Sequence, residues 1–159
     1  MKIAIYPGSF DPITNGHLDI LKRALRVFDK VVVLVANNVN KKYSFTDKER
    51  VDMIKLITKD MPNVEVESTG GLVVDYAKKI GATALVRGLR AVSDFEYELQ
   101  MATTNEFIDP TIDMVFFMTH LDNTFISSST VKELFTQGVD ISKLVPQEVI
   151  EYLKRKSQK

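Results

Sequence analysis

The chain predicts an α/β domain built on a parallel sheet, and three observations carry that prediction. Apolar strand-like runs alternate with segments of helical period along the chain. The runs are continuous in Val, Ile and Phe rather than alternating with polar residues, as strands covered on both faces require. The glycines cluster where these segments meet. At 159 residues the chain reads as a single domain spanning 1–159, long enough to bury roughly two thirds of its unfolded surface.

Each element has its own signal. The first strand is read at Lys2–Tyr6 and runs into a Gly/Pro-rich turn, from which a helix over His17–Phe28 opens. A second strand is read at Lys30–Ala36. The helix at Asp47–Asp60 follows a capping box, Thr46-Asp47-Lys48-Glu49, in which Thr and Glu satisfy each other's backbone N–H groups. A strand at Val64–Ser68 precedes a helix at Leu72–Ile80, and Gly81 sits where a left-handed C-terminal residue belongs. A strand at Thr83–Arg87 leads to a helix at Asp94–Ile108, with Ser93-Asp94-Phe95-Glu96 as a second capping box. The last strand, Ile112–Thr119, is followed by helices at Ser129–Gln137, closed by Gly138, and Gln147–Lys156, with Pro146 at the first helical position.

Composition removes several function classes. Lys+Arg and Asp+Glu both number 21, so there is no basic excess of the kind a general nucleic-acid binder needs. Without cysteine there is no disulfide framework, zinc–thiolate site or thiol nucleophile. The apolar run from Val31 to Ala36 is far too short to span a bilayer, and the N-terminus lacks a signal-peptide pattern. The expectation is a soluble cytoplasmic protein that binds neither membrane nor nucleic acid. The G-x-x-x-x-G-K-[ST], G-x-G-x-x-G and G-x-S-x-G patterns are all missing, which removes P-loop, dinucleotide-redox and serine-hydrolase chemistry.

What remains is a set of phosphate-handling groups. In Ile5-Tyr6-Pro7-Gly8-Ser9-Phe10-Asp11-Pro12-Ile13-Thr14-Asn15-Gly16-His17 a strand–turn–helix joint offers backbone N–H groups and a helix N-terminus, a ready phosphate site. Gly8 and Gly16 let backbone approach a ligand. The Ser9 hydroxyl can hold a phosphate. His17, in the first turn, can donate to a phosphate oxygen and carry charge near neutral pH. Lys41 and Lys42 follow the second strand, and either can serve as a point charge for phosphate. Arg87 and Arg90 flank Gly88-Leu89 after the fourth strand, in a pattern suited to bidentate phosphate binding. Those arginines can equally neutralise Asp94, Glu96 and Glu98. Ser127-Ser128-Ser129-Thr130 opens a helix; one hydroxyl suffices for a cap, and the others are free to grip phosphates, with Lys132 close by. His120 reads as an ordinary loop residue.

Three blocks carry a family resemblance. Thr14-Asn15-Gly16-His17 resembles the T/HxGH signature of the cytidylyltransferase-like nucleotidyltransferases. Arg87-Gly88-Leu89-Arg90-Ala91-Val92-Ser93-Asp94-Phe95-Glu96-Tyr97-Glu98 and Phe125-Ile126-Ser127-Ser128-Ser129-Thr130-Val131-Lys132 resemble bacterial phosphopantetheine adenylyltransferases, along essentially the whole chain. The resemblance implies a Rossmann-like five-stranded parallel sheet in the order 3-2-1-4-5, with the site between strands one and four. It implies transfer of an adenylyl group from ATP to 4′-phosphopantetheine, giving dephospho-coenzyme A and pyrophosphate.

The same resemblance assigns residues. His17 contacts the α-phosphate and stabilises the transition state, with Ser9, Lys41 and Arg90 completing the catalytic set. Lys41 and Arg87 fall on the 4′-phosphopantetheine side with Ser9, and Leu72, Val73, Met101 and Asn105 line the pantetheine channel. ATP falls to Ser9, Phe10, His17, Gly88, Leu89, Arg90, Glu98, Asn123, Thr124, Phe125, Ile126, Ser127, Ser128 and Ser129. At position 123 the family often carries Trp or Tyr, so Asn123 removes an aromatic contribution to adenine binding. Magnesium is implied with ATP; no carboxylate cluster for it is evident, and Asp11 is a weak candidate ligand. A homohexamer is implied. Related enzymes acting on glycerol phosphate or nicotinamide mononucleotide are rival readings, as is a silent nucleotide-binding domain.

Overall fold

The computed structural model describes residues 1–90 and 92–158, with the backbone alone at Val92, Ser93 and Leu121. The strands are β1 (Ile3–Gly8), β2 (Lys30–Ala36), β3 (Val64–Thr69), β4 (Ala84–Leu89) and β5 (Asp113–Met118). The α-helices are α1 (Asn15–Ala24), α2 (Asp47–Ile57), α3 (Val73–Ile80), α4 (Val92–Ile108), α5 (Ser128–Thr136) and α6 (Gln147–Ser157), with a short 3₁₀ turn at Leu121–Asn123. All strand pairs are parallel and the order is β3-β2-β1-β4-β5, as the sequence resemblance implies.

The continuous apolar strands are explained by period-two alternation between two buried faces. Ala4, Tyr6, Val31, Val33 and Val35 face one core with residues of α1, α2, α5 and α6. Ile5, Val32 and Leu34 face a second core with Val74 and Ala77 of α3. Neither face meets water at these positions, so neither selects polar residues.

Element ends follow capping chemistry. Thr46 and Glu49 form the predicted capping box on α2. Gly81 and Gly138 adopt φ of 74° and 78°, as left-handed C-terminal residues. Several details differ. Helix α1 ends at Ala24 rather than Phe28 and α2 at Ile57 rather than Asp60, because the chain there passes into i→i−3 turns such as Val27 N–H to the Ala24 carbonyl and Met61 N–H to the Thr58 carbonyl. Pro146 is the N-cap of α6 rather than its first helical residue, because its extended backbone (ψ 156°) precedes the helix. Helix α1 begins two residues before His17, because Thr14 rather than Gly16 turns the chain into it. Helix α4 begins at Val92, one residue before the capping box read at Ser93, whose side chain lies outside the described residues.

The sheet opens where the site is needed. β1 and β2 are paired over six residues, but β1 and β4 only at Ala4–Ala84 and Ile5–Leu85. Beyond Ile5 the two central strands separate toward their carboxyl ends. This is the switch point of strand order, where α/β sheets hold their ligands. Pro7 lies in the separated stretch and has no N–H to offer a partner strand. Its carbonyl instead accepts from the Arg87 guanidinium at 2.7 Å, so a side chain closes the gap left by the ladder.

Candidate active site

The separated ends of β1 and β4 form the floor of a cavity of about 330 Å³. The turn after β1 supplies Ser9 and Phe10, and α1 supplies Gly16 and His17. The β2–α2 loop supplies Lys41; β4 and its following loop supply Arg87, Gly88 and Arg90. Glu98 comes from α4, and Asn123, Ile126, Ser127, Ser128 and Ser129 from the approach to α5. Thus four separate chain segments converge on one space.

The β1–α1 turn is tightly determined. Phe10 adopts φ 49°, in the left-handed region that a bulky residue rarely enters. Its ring is held edge-on by Tyr6 at 5.2 Å and meets the His17 ring at 5.0 Å. A Cβ on Gly8 would stand 3.1 Å from that ring, so any larger residue before Ser9 forces the Phe10 ring to shift.

His17 is the third residue of α1 and completes a capping box with Thr14. Its backbone N–H donates to Thr14 Oγ1 at 3.3 Å, and its Nδ1 accepts the Thr14 backbone N–H at 3.0 Å. Nδ1 therefore carries no proton, and the neutral imidazole presents Nε2–H. Burial, with Arg87 and Arg90 adding repulsion, lowers its pKa to about 3. The expectation that His17 carries charge near neutral pH is therefore corrected. It is a neutral donor whose orientation the helix cap fixes.

Both arginines are held by acids, and both line the cavity. Arg87 donates through Nε and Nη2 to the Glu98 carboxylate, at 3.0 and 2.7 Å, while its third arm reaches Pro7. Glu98 is 5% exposed, so its charge is matched at close range. Arg90 donates to Asp94 at 3.1 Å and to the Ile126 carbonyl at 3.3 Å, joining the β4 loop to the approach to α5. The neutralising reading of the two arginines holds for Glu98 and Asp94, and both guanidinium-bearing residues also line the cavity.

The serines divide as their number suggests. Ser127 caps α5, accepting from the Thr130 N–H at 3.1 Å. Ser128 donates to the Pro12 carbonyl at 2.7 Å and ties α5 to the β1–α1 turn. Ser129 lines the cavity and is exposed.

Two residues have other employment. Lys132 does not line this cavity; its ammonium donates to Asp11 and to Ser44 Oγ, both at 3.1 Å. Asp11 is 2% exposed and accepts from the Ser44 and Phe45 N–H groups at 2.8 and 2.9 Å. Its carboxylate is engaged in structure, which removes the sequence argument for it as a metal ligand. Among the described residues no group of three or more His, Cys, Asp or Glu could hold a metal ion.

Seven expected residues lie outside this cavity. Leu89 ends β4 in a buried position. Thr124 and Phe125 follow the 3₁₀ turn, with Phe125 turned to solvent. Leu72 is the exposed N-cap of α3 and Val73 its first residue, while Met101 and Asn105 are partly buried on α4. Asn105 Nδ2 faces the Met114 sulfur at 3.8 Å. Conversely, Tyr6, Pro7, Ile20, Asp94 and Thr119 line the cavity without having been assigned to it from sequence. Pro7 had a readable signal, a residue without N–H at a strand end; the others are visible only once the strands separate.

Open strand ends, a helix N-terminus with an inward imidazole donor and facing arginines define a nucleotidyltransferase type of site. The chain belongs to the cytidylyltransferase-like family, whose model matches residues 5–134. Its relatives point further. It is 56% identical to the phosphopantetheine adenylyltransferase of Clostridium kluyveri, over 94% of this chain and 92% of that one. With the phosphopantetheine adenylyltransferase of Lachnoclostridium phytofermentans it shares 52% identity, over 96% and 94% of the two chains. With that of Caldanaerobacter subterraneus subsp. tengcongensis it shares 49%, over 100% and 99%.

Proposed function

We infer that the chain catalyses reversible adenylyl transfer from ATP to 4′-phosphopantetheine, giving dephospho-coenzyme A and pyrophosphate, a step of coenzyme A biosynthesis. The observation that carries this reading is the convergence of Ser9, His17, Lys41, Arg87, Arg90 and the Ser127–Ser129 helix start on one cavity, joined to the identity with relatives of that name.

The reaction needs little covalent work from the protein. A phosphate oxygen of 4′-phosphopantetheine attacks the α-phosphorus of ATP. The bond to the β-phosphate bridging oxygen breaks, and pyrophosphate leaves with the electron pair. The protein's task is to align the two phosphates and stabilise the added charge. In this reading Ser9, Lys41 and Arg87 place the acceptor phosphate. The Nε2–H of neutral His17 donates to the α-phosphoryl oxygens as charge builds on them. Arg90, Ser128 and Ser129 hold the departing pyrophosphate at the α5 N-terminus. Glu98, by holding Arg87 from behind, keeps that guanidinium extended toward the acceptor. Leu72, Val73, Met101 and Asn105 extend the site toward pantetheine, beyond the phosphate cavity.

Magnesium fits this chemistry as a charge partner of ATP polyphosphate. The described residues offer it no cage of their own, so it would be held chiefly by the nucleotide.

Self-association follows the family and is proposed as a homohexamer. What supports it is α4: among its described side chains only Glu98 is buried, while Phe95, Tyr97, Leu99, Phe107 and Ile108 are 42–90% exposed. These exposed apolar side chains are surface that another copy of the chain would cover. No helix of the described residues is long and apolar enough to cross a membrane; a cytoplasmic setting is proposed on the cysteine-free composition.

The test is pyrophosphate release by the purified protein with magnesium, ATP and 4′-phosphopantetheine, against glycerol phosphate and nicotinamide mononucleotide as acceptors. Release with 4′-phosphopantetheine alone, with dephospho-coenzyme A identified by mass, is the expected result. Release with another acceptor would reassign the substrate; none from folded, ATP-binding protein would leave a silent binder.

A further inference from the structure

Among the described residues the largest fully buried side chain is a charged one, Arg50 of α2, at 1% exposure. It lies outside the cavity, and burying a charge is costly unless every donor is matched. Arg50 meets that demand with unusual partners. Nη1 donates to the Ser9 carbonyl at 2.8 Å. Nη2 donates to Asn37 Oδ1 at 2.6 Å and Asp47 Oδ1 at 2.7 Å. Asn37 and Asp47 bracket the loop that carries Lys41. The guanidinium also lies 4.2 Å from the centre of the Tyr43 ring, and the Lys41 ammonium lies 5.8 Å from the same ring. A helix salt bridge would explain Asp47 alone; it explains neither the reach to Ser9, 41 residues earlier, nor the shared aromatic ring.

We propose that Arg50 and Tyr43 are positioning residues that set Lys41 and Ser9 at a fixed spacing, and so determine affinity for the phosphate of the acceptor. Arg50 fixes the Ser9 end through a main-chain hydrogen bond. Tyr43, resting on Arg50, gives the otherwise exposed Lys41 side chain a surface on which to lie, through cation–π attraction. Tyr43 in turn is held by the loop backbone, its hydroxyl accepting the Asn38 N–H. Lys carries about 2 kcal/mol of rotamer entropy, so a lysine directed before the ligand arrives loses less freedom on binding. The loop's far end is pinned independently, by Asp11 accepting the Ser44 and Phe45 N–H groups. Removing the ring therefore frees Lys41 and breaks the bond to Asn38 while the loop stays pinned at Ser44 and Phe45, and Tyr43→Phe, which loses the hydroxyl alone, separates the two effects.

The inference rests on Ser9 and Lys41 binding the acceptor phosphate, and the test separates the two ideas. Steady-state KM values for 4′-phosphopantetheine and ATP are measured for Lys41→Met, Tyr43→Leu, the double variant, Tyr43→Phe and Arg50→Lys. Tyr43→Leu is expected to raise the acceptor KM about 3- to 10-fold, the scale of losing one cation–π contact, with the ATP KM changed less than about 2-fold. Tyr43→Phe, which keeps the ring, raises it less. Arg50→Lys keeps the charge but not the planar fork, and shifts the same KM in the same direction. In the Lys41→Met background Tyr43→Leu has no further effect, because its only route to the substrate is gone. A purely structural role predicts the opposite: both KM values move together, and Tyr43→Leu acts equally with or without Lys41. That result, or an unchanged acceptor KM in Tyr43→Leu, overturns the proposal. An unchanged acceptor KM in Lys41→Met overturns the role of Lys41 and the proposal with it.

Discussion

At His17 one edge of the ring serves the fold, and the other serves catalysis in the proposed function. Nδ1 closes the cap of α1, and the residue lines the cavity with Nε2–H unused by the cap. His17→Ala is expected to lower turnover by ~10²-fold or more, the scale of losing one charge-stabilising donor, with ATP binding changed much less. His17→Gln, which can still accept the Thr14 N–H as a capping-box residue, is expected to be equally slow yet more stable than His17→Ala; rate and melting temperature together check this. The lowered pKa has a further consequence. The unfolded chain binds the proton near 6.5 and the folded chain at about 3. Between those values the unfolded state holds more protons, so stability rises with pH across the window and is lost as pH falls through it. The melting temperature of the wild type should therefore drop more steeply from pH 6.5 to 5 than that of His17→Gln. Equal slopes would mean that His17 is protonated in the folded protein.

At the scale of elements, the site depends on how closely α1 lies on β4. A Cβ on Gly88 would stand 3.0 Å from Ile20 Cγ1, so this glycine, which lies within the strand rather than at a joint, is required by helix–sheet contact. Gly88→Ala should cost about 1–3 kcal/mol, as overpacking does, and displace the helix that carries His17. Denaturant unfolding of Gly88→Ala, Ile20→Ala and the double variant checks it. The double variant should lose less stability than the sum, because the clash needs both partners. The turn after β1 is held from three further sides: by Arg50 at Ser9, by Lys132 and the β2–α2 loop at Asp11, and by Ser128 at Pro12. The β1–α1 turn is thus a rigid junction of four elements rather than a free loop.

For the whole molecule, α4 poses the main question. A seventeen-residue helix with one buried side chain among those described gains little from its own fold. Its apolar residues become intelligible if copies of the chain cover them. Leu99→Glu or Phe107→Glu should lower the mass seen by sedimentation, by placing a charge where an apolar contact forms. An unchanged mass for both would remove α4 from the interface.

Much of this was legible in the sequence, for reasons that particular residues make plain. The strands were visible because both faces of the sheet are buried, leaving runs such as Lys30–Ala36 unbroken. Helix ends were visible where local chemistry sets them, at Thr46, Gly81 and Gly138, and were misplaced at Asn15, Ala24, Ile57 and Val92, among others. The cavity-lining residues were legible because Ser9, His17, Arg87, Arg90 and Ser127–Ser129 sit at strand ends or helix starts, where short motifs specify backbone as well as side chain. Lys41 could be told from Lys42 by resemblance alone; in the fold only Lys41 lines the cavity. What the sequence by itself determined, then, was the order of elements and the chemical type of the site, both written in contacts between near neighbours. The tertiary structure alone decided the charge of His17, the engagement of Asp11 and Lys132 with each other and the β2–α2 loop outside the cavity, and the place of Arg50 beneath Ser9. Each of those depends on partners tens of residues away, whose burial and distance no local pattern records.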